Sequence, residues 1–211
     1  MQNEGLFQKR IKKARVIASL LGAMPFVRMV GLNGSMTKGT MHRDSDIDFL
    51  IIATHGRIWT ARFFTILLTI LIGQRESPGR SAGKTCLNRY QTDQFLEIMP
   101  HNQYHAETFA PLVPLYDNNI YLNYQKTNDW TIEFGFKVKP SIKITLNHNP
   151  LLKILQKFGE FILTDHFGNY FEKVLRNYQI KIIKQNKAMQ KASKGRVRIS
   201  DWELCFHPKK E

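Results

Sequence analysis

A chain of 211 residues, 43% apolar and 23% charged, is long enough to bury a core without disulfides or a structural metal, and its balance excludes wholesale disorder and fibrous architectures. Lys and Arg number 31 against 17 Asp and Glu, and the resulting net charge of +14 favours a polyanionic partner (nucleotide, nucleic acid or anionic lipid) without choosing among them. With only Cys86 and Cys205 present, a zinc knuckle of thiolates is excluded, a disulfide framework is disfavoured, and a reducing, cytoplasmic setting is expected.

In chain order, Phe7, Ile11, Ala14, Ala18 and Leu21 recur at helical spacing and predict a helix over 5–23. Its Lys9, Arg10, Lys12, Lys13 and Arg15 precede an apolar stretch, as in a signal peptide, but Arg28 interrupts that stretch and no small-residue cleavage site follows. A basic amphipathic helix is the better reading. Residues 26–32 predict a strand ending at the turn Asn33-Gly34, and 35–39 a short helix or loop. Residues 46–53, DIDFLIIA, predict a strand that is polar only at its start. Ile58 to Gly73 is unusually apolar, but it holds Arg62 and falls short of the roughly 20 apolar residues of a spanning helix. It predicts a buried or half-buried helix over 58–72, with membrane contact as the alternative. Gly73, Pro78, Gly79 and Gly83 mark a loop, and 84–90 a further strand. A helix is expected over 102–112, broken by Pro111 and Pro114, then a mixed aromatic stretch over 115–139. Pro140 and residues 147–150 suggest a boundary, followed by helices over 151–164 and 169–192.

The alternation predicts an α+β (α/β) fold, a mixed sheet flanked by helices, with a first unit over 1–135 and a basic, helical C-terminal extension over 136–211. Between 169 and 198, Lys173, Arg176, Lys181, Lys184, Lys187, Lys191, Lys194, Arg196 and Arg198 stand against Glu172. Such one-signed charge reads either as a solvated helix face or as a contact for RNA or another polyanion.

The stretch that carries chemistry is GLNGSMTKGTMHRDSDIDFLII, residues 31–52. Residues i and i+2 of a strand share a face, so Asp46 and Asp48 project together from one sheet edge. Two carboxylates roughly 4 Å apart repel by about 4 kcal/mol at an effective dielectric near 20. A divalent cation removes that conflict, and Mg²⁺ suits one or two carboxylates completed by substrate phosphates and water. Gly34 allows a phosphate close to the backbone, and Ser35 offers an N–H and a hydroxyl at the start of a helix. Together these form a triphosphate cradle suited to attack of an acceptor hydroxyl on the α-phosphate, where one or two metal ions stabilise the attacking and leaving oxygens.

This stretch resembles the signature of the polymerase-beta-type nucleotidyltransferase superfamily, especially its small bacterial and archaeal members: a Gly-Ser, about ten residues, then Asp-x-Asp on an apolar strand. Ser35 and Asp46 are separated by residues 36–45, Lys38-Gly39 occupies the place of the family's Arg-Gly, and Ser45 that of the Ser before the first carboxylate. The resemblance implies a nucleotidyltransferase-type sheet and Mg²⁺-dependent transfer from a nucleoside triphosphate to an unidentified acceptor. It implies catalytic, metal-binding Asp46 and Asp48, and nucleotide-binding Gly34, Ser35 and Lys38.

The family usually has a third carboxylate on a later strand, as metal ligand or general base. Residues 84–90, KTCLNRY, carry no acid, and Asn88 sits where one is expected. Asn88 can ligate a cation through its carbonyl but cannot act as a base. Asp93 and Glu97 are the nearest acids, and Glu97 is preferred to Asp93 as the replacement. A module of the same fold that binds nucleotide or RNA without turnover is therefore the alternative reading. Gly79 to Thr85 resembles a P-loop, but has three residues between its glycines instead of four and leads into a strand. Arg75, Arg80 and Lys84 keep that loop a candidate phosphate contact. His101 and His105 lack a third ligand for zinc, Cys86 has no His partner to make it a nucleophile, and Trp59, Trp130 and Trp202 read as packing residues.

Overall fold

The structure is a computed structural model and describes residues 2–75, 82–142, 149–186 and 197–206. Among the described residues, six strands form one mixed sheet in the order β4-β1-β2-β3-β6-β5. β1 (Val27–Asn33) lies antiparallel between β2 (Ile47–Ala53) and β4 (Val113–Asp117). β2 runs parallel to β3 (Thr85–Thr92), the crossover being made by α3 (Ile58–Leu71). β6 (Glu203–Phe206) pairs antiparallel with β3, and β5 (Val197–Ile199) with β6.

The period-2 alternation of β2 feeds two cores. Ile47, Phe49, Ile51 and Ala53 point into the core under α1 (Gln2–Gly22), α3 and α7 (Asp165–Gln185). Leu50 and Ile52 point into the core under α4 (Gln103–Phe109), α5 (Tyr121–Thr127) and the 3₁₀-helix Asp129–Phe134. A strand covered on both faces reads as a continuous apolar run, which is why 49–53 carries no polar residue. Asp46 and Asp48 stand at the end of β2 that neither core covers fully.

The expected mixed sheet flanked by helices is present. Four elements depart from the sequence reading. β4 lies in a region read as the end of a helix and a mixed stretch. Pro114 reads as a breaker, but β4 is an edge strand, where a missing N–H is tolerated. β5 and β6 return the C-terminal segment to the sheet, although its sequence reads as part of a helical extension; strands of three and four residues leave almost no periodic signal. α7 begins at Asp165 rather than at 169 and ends at Gln185. The expected continuation to 192, and Lys187, Lys191, Lys194 and Arg196, lie outside the described residues, as do Pro78, Gly79 and Arg80 of the P-loop-like loop.

The helices after residue 149 are tied to the sheet-covering layer by polar side chains. Gln156 of α6 (Pro150–Ile162) donates to the Val27 carbonyl at 2.6 Å and accepts from the Tyr116 hydroxyl at 2.9 Å. Glu172 of α7 accepts from Trp59 N and Thr60 N at 2.9 and 2.8 Å, and so caps the N-terminus of α3, which has no side-chain cap of its own. Burial raises the pKa of Glu172, and these bonds counter the shift. Glu172→Ala removes this cap, and urea unfolding is expected to show a loss of about 1–2 kcal/mol.

α6 turns its apolar side outward: Leu151, Ile154, Leu155, Phe158, Phe161 and Ile162 are exposed, Phe161 by 77%, while the buried side carries Gln156. No helix among the described residues is long and apolar enough to cross a membrane.

Candidate active site

The site is built where the chain leaves β1 and enters β2. Asn33 ends β1 directly opposite Asp48. The next residue, Gly34, has φ +74°, and a Cβ placed on it would lie 2.3 Å from Asp48 Oδ2. Glycine is thus required twice, by backbone conformation and by the closeness of the carboxylate. Its carbonyl accepts from Thr37 N, Lys38 N and the Thr37 hydroxyl at 3.2, 3.1 and 3.0 Å, which folds 35–38 into the one-turn helix α2 (Ser35–Lys38). Gly39, at φ +74°, closes that turn in the left-handed conformation.

The loop from Thr40 to Ser45 is pinned from both sides. The Ser45 hydroxyl accepts from His42 N at 3.0 Å. The Ser45 carbonyl accepts from Gly83 N, and the Lys84 carbonyl from Ile47 N, both at 2.8 Å. From α1, the Arg10 guanidinium donates to the carbonyls of His42 and Arg43, and Lys13 Nζ donates to the Gly83 carbonyl at 2.7 Å. Burial, with Lys84, Arg10 and Lys9 nearby, holds the Lys13 ammonium below its usual pKa. Positive charge therefore gathers beside the strand-entry loop that carries Asp46.

Parallel pairing of β2 with β3 brings Cys86 opposite Asp48. Asp46, Asp48 and Cys86, all half-buried, present one ligand atom each within 4.8 Å of one another. Asn88, only 9% exposed, donates its Nδ2 to Asp48 Oδ1 at 3.0 Å. Its own Oδ1 has no hydrogen-bond partner among the described residues, and neither does Asn33 Oδ1, on the residue opposite Asp48. Orphaned buried oxygens are costly, and beside two carboxylates they are the kind of atom a cation or its bound water satisfies. The donor set fits a divalent cation.

The remaining candidates are placed as follows. Ser35 opens α2 next to Gly34. Lys38 pairs with Glu107 Oε2 at 3.3 Å and lies over the Tyr104 ring. Glu97, expected as a replacement for the missing acid, lies beyond the far end of β3: its carboxylate meets His101 Nε2 at 3.0 Å and its carbonyl accepts from Gln91. It is not part of the Asp46–Asp48 group among the described residues, because Cys86 lies at the start of β3 and Glu97 follows its end. Lys84 donates to the Gly73 carbonyl at 2.6 Å. His101 stacks on Trp130, and His105 contacts Asn102 and Phe109. Trp59 is buried and donates to Asp201, whereas Trp202 is half-exposed. Sequence reasoning passed over Cys86 because it looked for a His partner. The available signal was that Cys86 and Asn88 are alternate residues on the strand expected to carry an acid.

No curated protein gives a significant match. A solved structure titled "Crystal structure of the toxin-antitoxin with AMP-PNP" is similar at 17% identity and a TM-score of 0.33, over 58% of this chain and 85% of that one. The model of the nucleotidyltransferase domain family matches residues 11–135, more than half of the chain and the whole of β1 to β4 with the Gly34 and Asp46–Asp48 elements, and the chain belongs to that family.

Proposed function

We propose that this chain transfers a nucleoside monophosphate from a nucleoside triphosphate to an acceptor hydroxyl, releasing pyrophosphate. The observation that carries the reading is the approach of Gly34 to Asp48, which puts a close-contact backbone for phosphate directly against a carboxylate pair. Asp46 and Asp48 are the residues that would hold the divalent cation, one ion or two, with Asn88 orienting Asp48 through its amide. The cation supplies charge stabilisation for the oxygens around the reacting phosphorus. Gly34 and the Ser35 N–H and hydroxyl bind the triphosphate. Lys38 is one turn further along α2, and its half-exposed partner Glu107 yields to a triphosphate, which carries more charge. Arg10, Lys13 and Lys84 supply a positive field on the loop side. The acceptor hydroxyl gives its proton to solvent water as its oxygen attacks the α-phosphorus, the bond to the bridging oxygen breaks, and that electron pair leaves with pyrophosphate. The exposed Lys173, Lys181 and Lys184 of α7 point to RNA or another polyanion as the class of acceptor.

The test is label transfer to a cell extract from triphosphate labelled at the α- or the γ-phosphate. Label from the α position alone is expected; label from the γ position would replace this reading with phosphoryl transfer.

A second reading is a module that binds nucleotide without turnover. It is favoured by one observation, that the buried side chain on β3 facing Asp48 is an amide, Asn88, which cannot accept a proton. Nucleotide binding with no transfer of either label would establish it.

Both readings need Gly34. Gly34→Ala is expected to weaken nucleotide binding at least tenfold and to cost about 1–3 kcal/mol of stability, through the left-handed backbone and the clash with Asp48. Calorimetric titration and thermal unfolding of the same preparation check both numbers.

A further inference from the structure

We propose that Cys86 is the third metal ligand of this chain, and that the Asp46–Asp48–Cys86 site takes a borderline transition cation of the Zn²⁺ or Co²⁺ class in preference to Mg²⁺. The inference rests on the reading that a cation sits between Asp46 and Asp48, and adds to it which side chain completes the set and which ions that set selects.

Three observations carry it. The parallel register sets Cys86 directly opposite Asp48. The three ligand atoms lie within 4.8 Å of one another, and sulfur and oxygen bound to one tetrahedral ion stand about 3.6 Å apart, so side-chain turns that draw the atoms together by about 1 Å close the set. Asn88, the other residue of β3 at the site, is already committed. Its Nδ2 faces Asp48, so it orients the carboxylate from outside, while its buried and orphaned Oδ1 marks the same place as one where a further polar group is wanted.

The selectivity follows from ligand chemistry. Carboxylates and water suit Mg²⁺, whereas a thiolate adds affinity only for softer ions and lies poorly in an all-oxygen Mg²⁺ shell. The second cysteine is a natural control: Cys205 lies buried on β6, opposite Arg89 rather than at the carboxylates.

The experiment is titration of the full chain with Co²⁺ in a non-thiol reductant, followed by near-ultraviolet absorption and, in parallel, by competition with Mg²⁺. The wild type is expected to develop a thiolate-to-cobalt charge-transfer band that Cys205→Ser retains and Cys86→Ser loses. Cys86→Ser should weaken Co²⁺ binding by about 10–100-fold and leave Mg²⁺ affinity within about twofold. Cys86→Asp, which restores an all-oxygen set, should shift the preference back toward Mg²⁺. Co²⁺ binding that Asp46→Asn abolishes but that shows no charge-transfer band would overturn the role of Cys86 and leave the carboxylate site standing. A band that survives in Cys86→Ser would overturn it as well. Failure to bind Co²⁺, Mn²⁺ or Mg²⁺ with nucleotide present would remove the cation site itself, and this inference with it.

Discussion

Asp46→Asn is expected to lower nucleotidyl transfer by about 10³-fold or more, on the order of 4 kcal/mol in the barrier, with the fold intact. The effect is large because the two carboxylates act as a unit: an amide at position 46 keeps the shape of the side chain but removes one of the two charges that hold a cation against the triphosphate. The fold survives because Asp46 precedes β2, is only half-buried, and the core begins with Ile47. Removing a charge from a crowded pair also relieves repulsion, so in the metal-free protein the variant should melt at the same temperature as wild type or slightly higher. Circular dichroism and thermal unfolding, run beside the transfer assay, separate lost chemistry from lost structure.

Glu203→Ala is expected to destabilise the protein by about 3–5 kcal/mol. Glu203 of β6 meets Arg89 of β3 at 2.5 Å, with side-chain exposures of 5% and 0%. Burial lowers the pKa of the Arg89 guanidinium, and Glu203 counters that shift. Arg198 of β5 joins Glu203 at 2.9 Å, so the acid serves two guanidinium groups. Without it, Arg89 keeps only the Met99 carbonyl at 3.1 Å and the Phe109 ring, while its Nε and Nη1 are already without partners among the described residues. A buried charge without a counter-charge is the costly case. Replacing both residues, Arg89→Leu with Glu203→Leu, should recover most of the loss, because an apolar pair of similar volume carries no desolvation penalty. Chemical denaturation of wild type, the single variant and the pair measures this cycle. β3 carries Cys86 and Asn88, so the single variant should also loosen the site, lowering cation affinity before global unfolding.

The parts of the molecule legible in its sequence are those set by local pattern. The run from Phe49 to Ala53 reads as a strand buried on both faces. Phe7, Ile11, Ala14, Ala18 and Leu21 read as one helical face, and Gly34 with Asp46 and Asp48 at their spacing reads as one edge of a sheet. What was not legible depends on pairing between distant segments. The parallel register of β3 on β2 decides that Cys86 faces Asp48 and that Glu97 lies elsewhere, and nothing within residues 84–97 encodes that register. Pro114 reads as a breaker until its strand is known to lie at an edge. Residues 203–206 read as part of the helical extension until β6 is seen to pair with β3. Glu172, one acid among many basic residues, reads as an exception on a solvated face, whereas it caps α3.

The most direct measurement is transfer of label from α-labelled nucleoside triphosphate by wild type and Asp46→Asn side by side, with divalent cation and cell extract as acceptor. Labelled product with wild type and none with Asp46→Asn is the predicted result. Equal label transfer by both proteins would contradict the assignment of catalysis to the Asp46–Asp48 pair.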